Sequence, residues 1–265
     1  MSQGVGNMKV ACVQMNIAFG APEKNFAAVE KYIEEAARAG ADTIVFPEMW
    51  NAGYSLKELN QVADENGTRT KTLLSRLAKC YQINIVGGSV ATKKDDGFYN
   101  TMYVADRTGS IVSNYDKAHL FKLMDEHLFM NAGARKNLFE LDGVKCSGVI
   151  CYDLRFPEWI RRHVLDGAKI IFVPAEWPAQ RIDHWRILLQ ARAIENQCFI
   201  VAANQVGSDP NNHFGGHSMV ITPWGEQLLS AQTGEGIFYA DLDLAEVDRV
   251  RAAIPIFQDR RTDLY

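Results

Sequence analysis

An α/β fold follows from three features of the 265-residue chain. Short β-branched apolar runs alternate with longer amphipathic segments. Two strand–helix–strand units follow one another directly, and no linker, repeat or low-complexity stretch interrupts the series. The pattern predicts one domain over residues 8–265. Residues 1–7, "MSQGVGN", are polar and read as a leader or cloning remnant ahead of Met8.

Taken in order, "KVACVQM" from Lys9 reads as a strand. "PEKNFAAVEKYIEEAARAG" reads as an amphipathic helix opened by Pro22 and closed by Gly40. "ADTIVF" is a buried strand, and "KTLLSRLAKCYQ" a helix. "INIVGGSVA" and "NTMYVADRTGSIV" are strand regions, the second folded into a hairpin at "RTG". Next come "VKCSGVI" (strand), "EWIRRHVLDGA" (helix), "KIIFVPA" (strand), "DHWRILLQARAIENQ" (helix) and "CFIVAANQ" (strand). Such crossovers imply parallel strands covered by helices. In the last helix, Ile187, Leu188, Ala191 and Ile194 fall at helical spacing and predict its packing face. The tail adds strands around "PWG" and a short helix at "LAEVDRVRAA".

Bulk properties narrow the function. A formal charge of −4 argues against a broad grip on nucleic acid, and no window reaches the ~18 apolar residues of a membrane span. Five dispersed cysteines without CxxC pairs exclude a disulfide framework and make a reducing cytoplasm the expected setting. His213 and His217 are four apart, but the glycine pair between them breaks the helix that would align them, so no metal site is expected.

Reactive side chains cluster at strand ends, where open α/β sheets place their ligands. Glu48 follows "DTIVFP", with Pro47 forcing the chain out of the ladder. Lys117 follows "SIVSNYD", and Cys151 ends "SGVI". Each alone has an ordinary structural reading: helix cap, solvated lysine, buried thiol. Together they suit acyl transfer. A carboxylate can take the thiol proton, and an ammonium can steady the oxyanion formed at a carbonyl, helped by a backbone N–H such as that of Tyr152.

The segments "IVFPEMW", "YDKAHLF" and "GVICYDLRFPE", in this order, resemble the glutamate, lysine and cysteine motifs of the nitrilase superfamily of carbon–nitrogen hydrolases. The resemblance runs from about Lys9 to the C-terminal "DRRTDLY". It implies a four-layer αββα sandwich that forms a homodimer or higher homo-oligomer, with no metal or organic cofactor. It further implies Cys151 as nucleophile, Glu48 as general base and Lys117 as oxyanion stabiliser. Glu126, in "MDEHLFMNAG", matches a second glutamate that positions lysine and substrate. "PAEWPAQRIDHWRILLQARAIENQ" is similar to the bacterial omega-amidase-like branch, whose substrates are small dicarboxylic monoamides such as 2-oxoglutaramate.

A substrate of that kind needs a cation or donors at its anionic end. Arg181 and Tyr54 are the candidates, with Trp177 lining the pocket and Arg155 expected to brace the turn through Glu158. An N-carbamoyl amidohydrolase or a nitrilase would use the same Glu–Lys–Cys set. A Cys–His pair with His184, His213 or His217 as base, or a catalytically silent binding protein on the same scaffold, are the remaining alternatives.

Overall fold

The computed structural model of the chain describes residues 6–265. Most of the expected leader, residues 1–5, lies outside the described residues. The first strand, β1 (Asn7–Gln14), begins two residues earlier than expected, since Asn7 already pairs with Asp243. After it come α1 (Pro22–Arg38), β2 (Thr43–Val45), α2 (Thr68–Tyr81) and β3 (Asn84–Val86). β4 (Val90–Lys94), β5 (Gly97–Ala105) and β6 (Ile111–Asp116) form a meander, followed by the one-turn helix α3 (Glu126–Phe129). The second half holds β7 (Leu138–Leu141), β8 (Val144–Gly148), α4 (Pro157–Leu165), β9 (Ile170–Ala175), α5 (Ile182–Asn196) and β10 (Phe199–Asn204). β11 (Met219–Ile221), β12 (Gln227–Ser230), β13 (Gly236–Asp243) and α6 (Ala245–Ala253) complete it.

One sheet runs β13-β1-β2-β3-β5-β4, with the short strand Asp64–Glu65 beyond β4 and β6 paired to β5. β1, β2 and β3 are parallel. The other sheet runs β12-β11-β10-β9-β8-β7, with β8, β9 and β10 parallel, as two consecutive crossovers require. The sheets stack face to face with helices outside, giving the αββα order. β1 shows why its sequence is almost continuously apolar. Val10 and Cys12 enter the core shared by the two sheets, whereas Ala11, Val13 and Met15 meet Phe26, Val29 and Ile33 of α1. Both faces are covered, so no polar alternation is tolerated.

One expectation fails on α5. Its buried residues are Trp185, Leu189, Arg192, Ala193 and Asn196, while Ile187 is 65% and Ile194 50% exposed. Apolar residues surround this helix, so spacing could not say which side meets the sheet. Trp185 decides it by donating its indole N–H to the His217 carbonyl at 2.8 Å. An apolar strip is left facing outward.

The topology places the reactive residues on a common edge. β2 and β8 end in Val45 and Gly148, three residues short of Glu48 and Cys151. β5 runs antiparallel to β3 and β6 reverses again, so Lys117 leaves β6 in the same sense as Glu48 leaves β2.

Candidate active site

Two left-handed backbone positions mark the turns that carry the acid and the thiol. Met49, just after Glu48, has φ +48°, and Cys151 has φ +42°. Each costs about 1–3 kcal/mol and persists only where surroundings over-determine it. At Met49, the Ser89 hydroxyl accepts the Met49 N–H at 3.0 Å, and the Ser89 carbonyl accepts the Trp50 N–H at 3.0 Å. Gly88 is required there, because a Cβ would lie 2.0 Å from the Pro47 carbonyl oxygen.

At Cys151 the brace is Asp153, fully buried. One carboxylate oxygen accepts the Ile150 N–H at 2.9 Å and the Tyr115 hydroxyl at 2.8 Å. The other accepts the His119 N–H at 2.9 Å and meets His119 Nδ1 at 2.7 Å. Tyr115 and His119 flank Lys117, so one side chain ties the lysine loop to the cysteine turn. Replacing Asp153 by Asn substitutes an amide N–H₂ for one acceptor and sets it against two donors. Each lost bond to a charged group is worth about 1.5–3 kcal/mol, so we expect kcat to fall about 10–100-fold with KM changed little. A Michaelis–Menten comparison checks this, and an unchanged kcat would show that the elbow holds without Asp153.

Around the lysine the site becomes a closed polar cluster. Lys117 Nζ donates to Glu48 Oε1 at 2.7 Å and to Glu126 Oε2 at 2.8 Å, and all three side chains have no solvent exposure. Asn100 Nδ2 bridges the two carboxylates at 2.8 and 3.0 Å. The Tyr54 hydroxyl donates to Glu48 Oε1 at 2.8 Å and accepts from Lys117 at 3.0 Å. Glu48 Oε1 is therefore saturated. Oε2 accepts only the Glu176 N–H, at 3.0 Å, among the described residues, and so retains a free lone pair.

Charge states follow from this arrangement. Burial opposes ionisation of Glu48, but the Lys117 ammonium and the surrounding donors outweigh it and hold the carboxyl below its ordinary value. For Lys117 burial pulls the other way, and the charges of Glu126 and Glu48 overcome it to keep the amine protonated. Glu126 is raised, by burial first, then against Lys117 by the charge of Glu48. Burial and the neighbouring Glu48 charge push the Cys151 thiol well above its ordinary value. This favours Cys151 resting as a thiol beside a carboxylate over a preformed thiolate.

A narrow crevice opens on Cys151, lined among others by Tyr54, Phe121, Tyr152, Trp177 and Arg181. Among the described residues, the Tyr152 N–H has no acceptor. Its ring packs on Phe121 with centroids 4.9 Å apart. Trp177 donates its indole N–H to the Arg181 carbonyl at 2.8 Å. Arg181 lies 5.5 Å from the Phe121 ring centroid, with no salt bridge among the described residues. Tyr54, expected at the anionic end of the substrate, has its hydroxyl engaged by Glu48 and Lys117 instead. Arg155 does not pair with Glu158 as expected. It lies over Trp177, 4.8 Å from a ring centroid, with Nη2 3.3 Å from His184 Nδ1. The turn needs no such brace because Asp153 already supplies it. His213 is spent on the Ser208 hydroxyl at 2.9 Å, and the charges that bear on the Cys151 thiol are those of Glu48, Lys117 and Glu126.

The sequence model described as "carbon-nitrogen hydrolase" matches residues 9–252. The chain belongs to the carbon-nitrogen hydrolase family. This carbon-nitrogen hydrolase is 51% identical to the 2-oxoglutaramate amidase of Bacillus subtilis over 97% of the chain and 98% of that protein. It is 38% identical to an omega-amidase of Escherichia coli, covering 83% of the chain and 84% of the relative. A carbon-nitrogen hydrolase superfamily protein of Xanthomonas campestris, solved with an arsenic adduct in its active site, superposes with a TM-score of 0.91 at 29% identity. That match covers 97% of this chain and 98% of the other. Asn100 and Asp153 went unremarked in the sequence. Asn100 is one polar residue inside a strand, and only the fold brings it between two acids.

Proposed function

We propose that this carbon-nitrogen hydrolase is an omega-amidase that cleaves the terminal amide of a small carboxylate-bearing substrate such as 2-oxoglutaramate. The observation that carries the reading is the buried Glu48–Lys117–Glu126 cluster beside Cys151, with two arginines on the same crevice that have no carboxylate partner among the described residues. Burial and the nearby Arg181 charge lower Arg155, as expected of two guanidiniums close enough to repel one another. A substrate carboxylate would relieve that repulsion. Arg181 and Arg155 are assigned to the anionic end, and Trp177 to the wall between them.

The chemistry has two halves. Glu48 Oε2 takes the thiol proton as Cys151 sulfur bonds to the amide carbon. Lys117 Nζ and the Tyr152 N–H hold the oxyanion, and Glu126 holds Lys117. As the C–N bond breaks, Glu48 returns the proton to nitrogen and ammonia leaves a thioester. Water then attacks, giving its proton to Glu48. The C–S bond breaks, the sulfur regains a proton, and the carboxylic acid departs.

Ammonia release from 2-oxoglutaramate, glutaramate, an N-carbamoyl amine and a simple nitrile tests the assignment, with Cys151→Ala as control. The two monoamides should lead by at least tenfold in kcat/KM. Preference for the carbamoyl compound or the nitrile would overturn the substrate reading while leaving the mechanism.

The single domain extends over residues 8–265 in this reading and works in the cytoplasm, where five unpaired cysteines are at home. No helix among the described residues is long and apolar enough to cross a membrane. The outward strip on α5 supports a homodimer. Ile187 and Ile194 are joined by Trp224, 52% exposed, whose turn is held to α5 by Gln190 donating to the Gly225 carbonyl at 2.9 Å. Sedimentation should give a dimer or larger species, shifted toward monomer by Ile187→Glu with Ile194→Glu. A monomeric wild type contradicts this assignment.

A further inference from the structure

Glu176 is a buried acid that the two half-reactions leave idle. It directly follows β9, is 1% exposed, and lines the Cys151 crevice. No cation pairs with it among the described residues. With the Gln205 amide oriented to satisfy its neighbours, that nitrogen donates to the Glu176 carboxyl at 2.9 and 3.2 Å. Burial, then the charges of Glu48 and Asp209, raise the Glu176 carboxyl well above its ordinary value, which favours its protonated form.

A structural role is a poor account of this acid. Gln205 is already fixed through its backbone, donating to the Ala175 carbonyl at 3.1 Å and accepting from the Gly216 N–H at 3.0 Å. An apolar side chain at 176 would fill the same space without the cost of burying a carboxyl. A neutral carboxyl offers something an apolar group cannot: a carbonyl acceptor beside an O–H donor.

Position decides which part of a substrate it meets. The oxyanion belongs to the Lys117 and Tyr152 N–H side. Glu48 Oε1 is occupied by three donors, so the travelling proton uses Oε2, the oxygen that accepts the Glu176 N–H at 3.0 Å. The leaving nitrogen must approach Oε2 to be protonated, which brings it to the Glu176 backbone, at the root of the side chain counted in the lining of the same crevice. A primary amide presents two N–H donors there. One faces Glu48, and the other needs an acceptor in a pocket whose remaining charged groups are donors.

We propose that the Glu176 carboxyl oxygen accepts a hydrogen bond from the amide N–H of the substrate and thereby selects primary amides over substrates without that N–H. The inference rests on the roles assigned above to Cys151, Glu48 and Lys117, and deepens them by naming the class of bond the pocket prefers.

The test compares wild type, Glu176→Gln and Glu176→Met on glutaramate and on the methyl ester of the same acid, with succinamate and propionamide as further primary amides. An ester has no N–H to offer. The Met variant should lower the amide-to-ester ratio of kcat/KM by about tenfold, the weight of one lost hydrogen bond. The Gln variant keeps a carbonyl acceptor and should hold that ratio within about threefold. An equal fall on amide and ester in both variants would reduce Glu176 to a structural residue, and an unchanged ratio in the Met variant would also overturn the proposal. Should the Met variant fail to fold, Glu176→Ala replaces it with the same expected ratio. If wild type ignores glutaramate but hydrolyses another primary amide, the substrate reading fails and the ratio on that amide, against its own methyl ester, still judges Glu176. A wild type inactive on every primary amide overturns both.

Discussion

Lys117→Ala should remove at least about 10³-fold of kcat and leave a protein measurably easier to unfold. The loss has two sources. One oxyanion donor is worth about 2.7–4 kcal/mol of barrier. The same ammonium is also the cation that lets Glu48 and Glu126 be buried with no solvent exposure. Without it the two acids, bridged by Asn100, face one another unpaired, and breaking a buried pair this way costs about 3–5 kcal/mol. One of them must then take a proton, and a protonated Glu48 is no longer a base. Lys117→Met, which keeps the length and removes the charge, should behave similarly. Steady-state ammonia release and thermal unfolding are the measurements. A variant keeping a tenth of wild-type kcat would mean that a histidine serves as base, and that the acid–ammonium–thiol assignment is mistaken.

Glu48→Gln is the second large effect. Neither orientation of the new amide is neutral, because its N–H₂ faces either the Lys117 ammonium or the Glu176 N–H. In the proposed mechanism each half-reaction passes a proton through this residue, and general acid–base catalysis contributes about 10²–10⁴-fold to each. Rapid-quench assays should therefore show neither acylation nor turnover, whereas a variant that acylates at the wild-type rate would confine Glu48 to deacylation. In wild type, the acid limb of kcat/KM should lie below 4.5, the ordinary value for glutamate, because Lys117 and its neighbours hold Glu48 down. The sign for stability follows. A depressed folded-state pKa contributes stability that is present above the unfolded value and is lost as pH falls through the folded one. An acid limb above 4.5 would show that burial, not Lys117, dominates at Glu48.

Much of the scaffold was readable because its signals are local. Proline at 47, the "RTG" hairpin and the run of β8, α4, β9, α5 and β10 are carried by neighbours in the chain. Glu48, Lys117 and Cys151 could be singled out because each follows a strand, and strand ends are recognisable without knowing what they face. Glu126 was harder. Its surroundings read as a surface loop, yet it begins a one-turn helix and is fully buried, since Lys117 and the Phe121 N–H both need its carboxylate.

By itself the amino-acid sequence determined the alternation of strands and helices, the three strand-end groups and the family they announce. The tertiary structure alone decided which polar residues serve them. Lys117 and Glu48 are 69 positions apart, and Glu176 and Glu48 are 128. Their contacts depend on strand register, which sets every partner at once. The outward face of α5, the stacking of Arg155 on Trp177 and the choice of Asp153 as brace belong to the same class. The physical reason is that burial and charge compensation are properties of a place in the fold. A chain lists its carboxylates and amides, but the energy of each depends on what distant strands bring beside it.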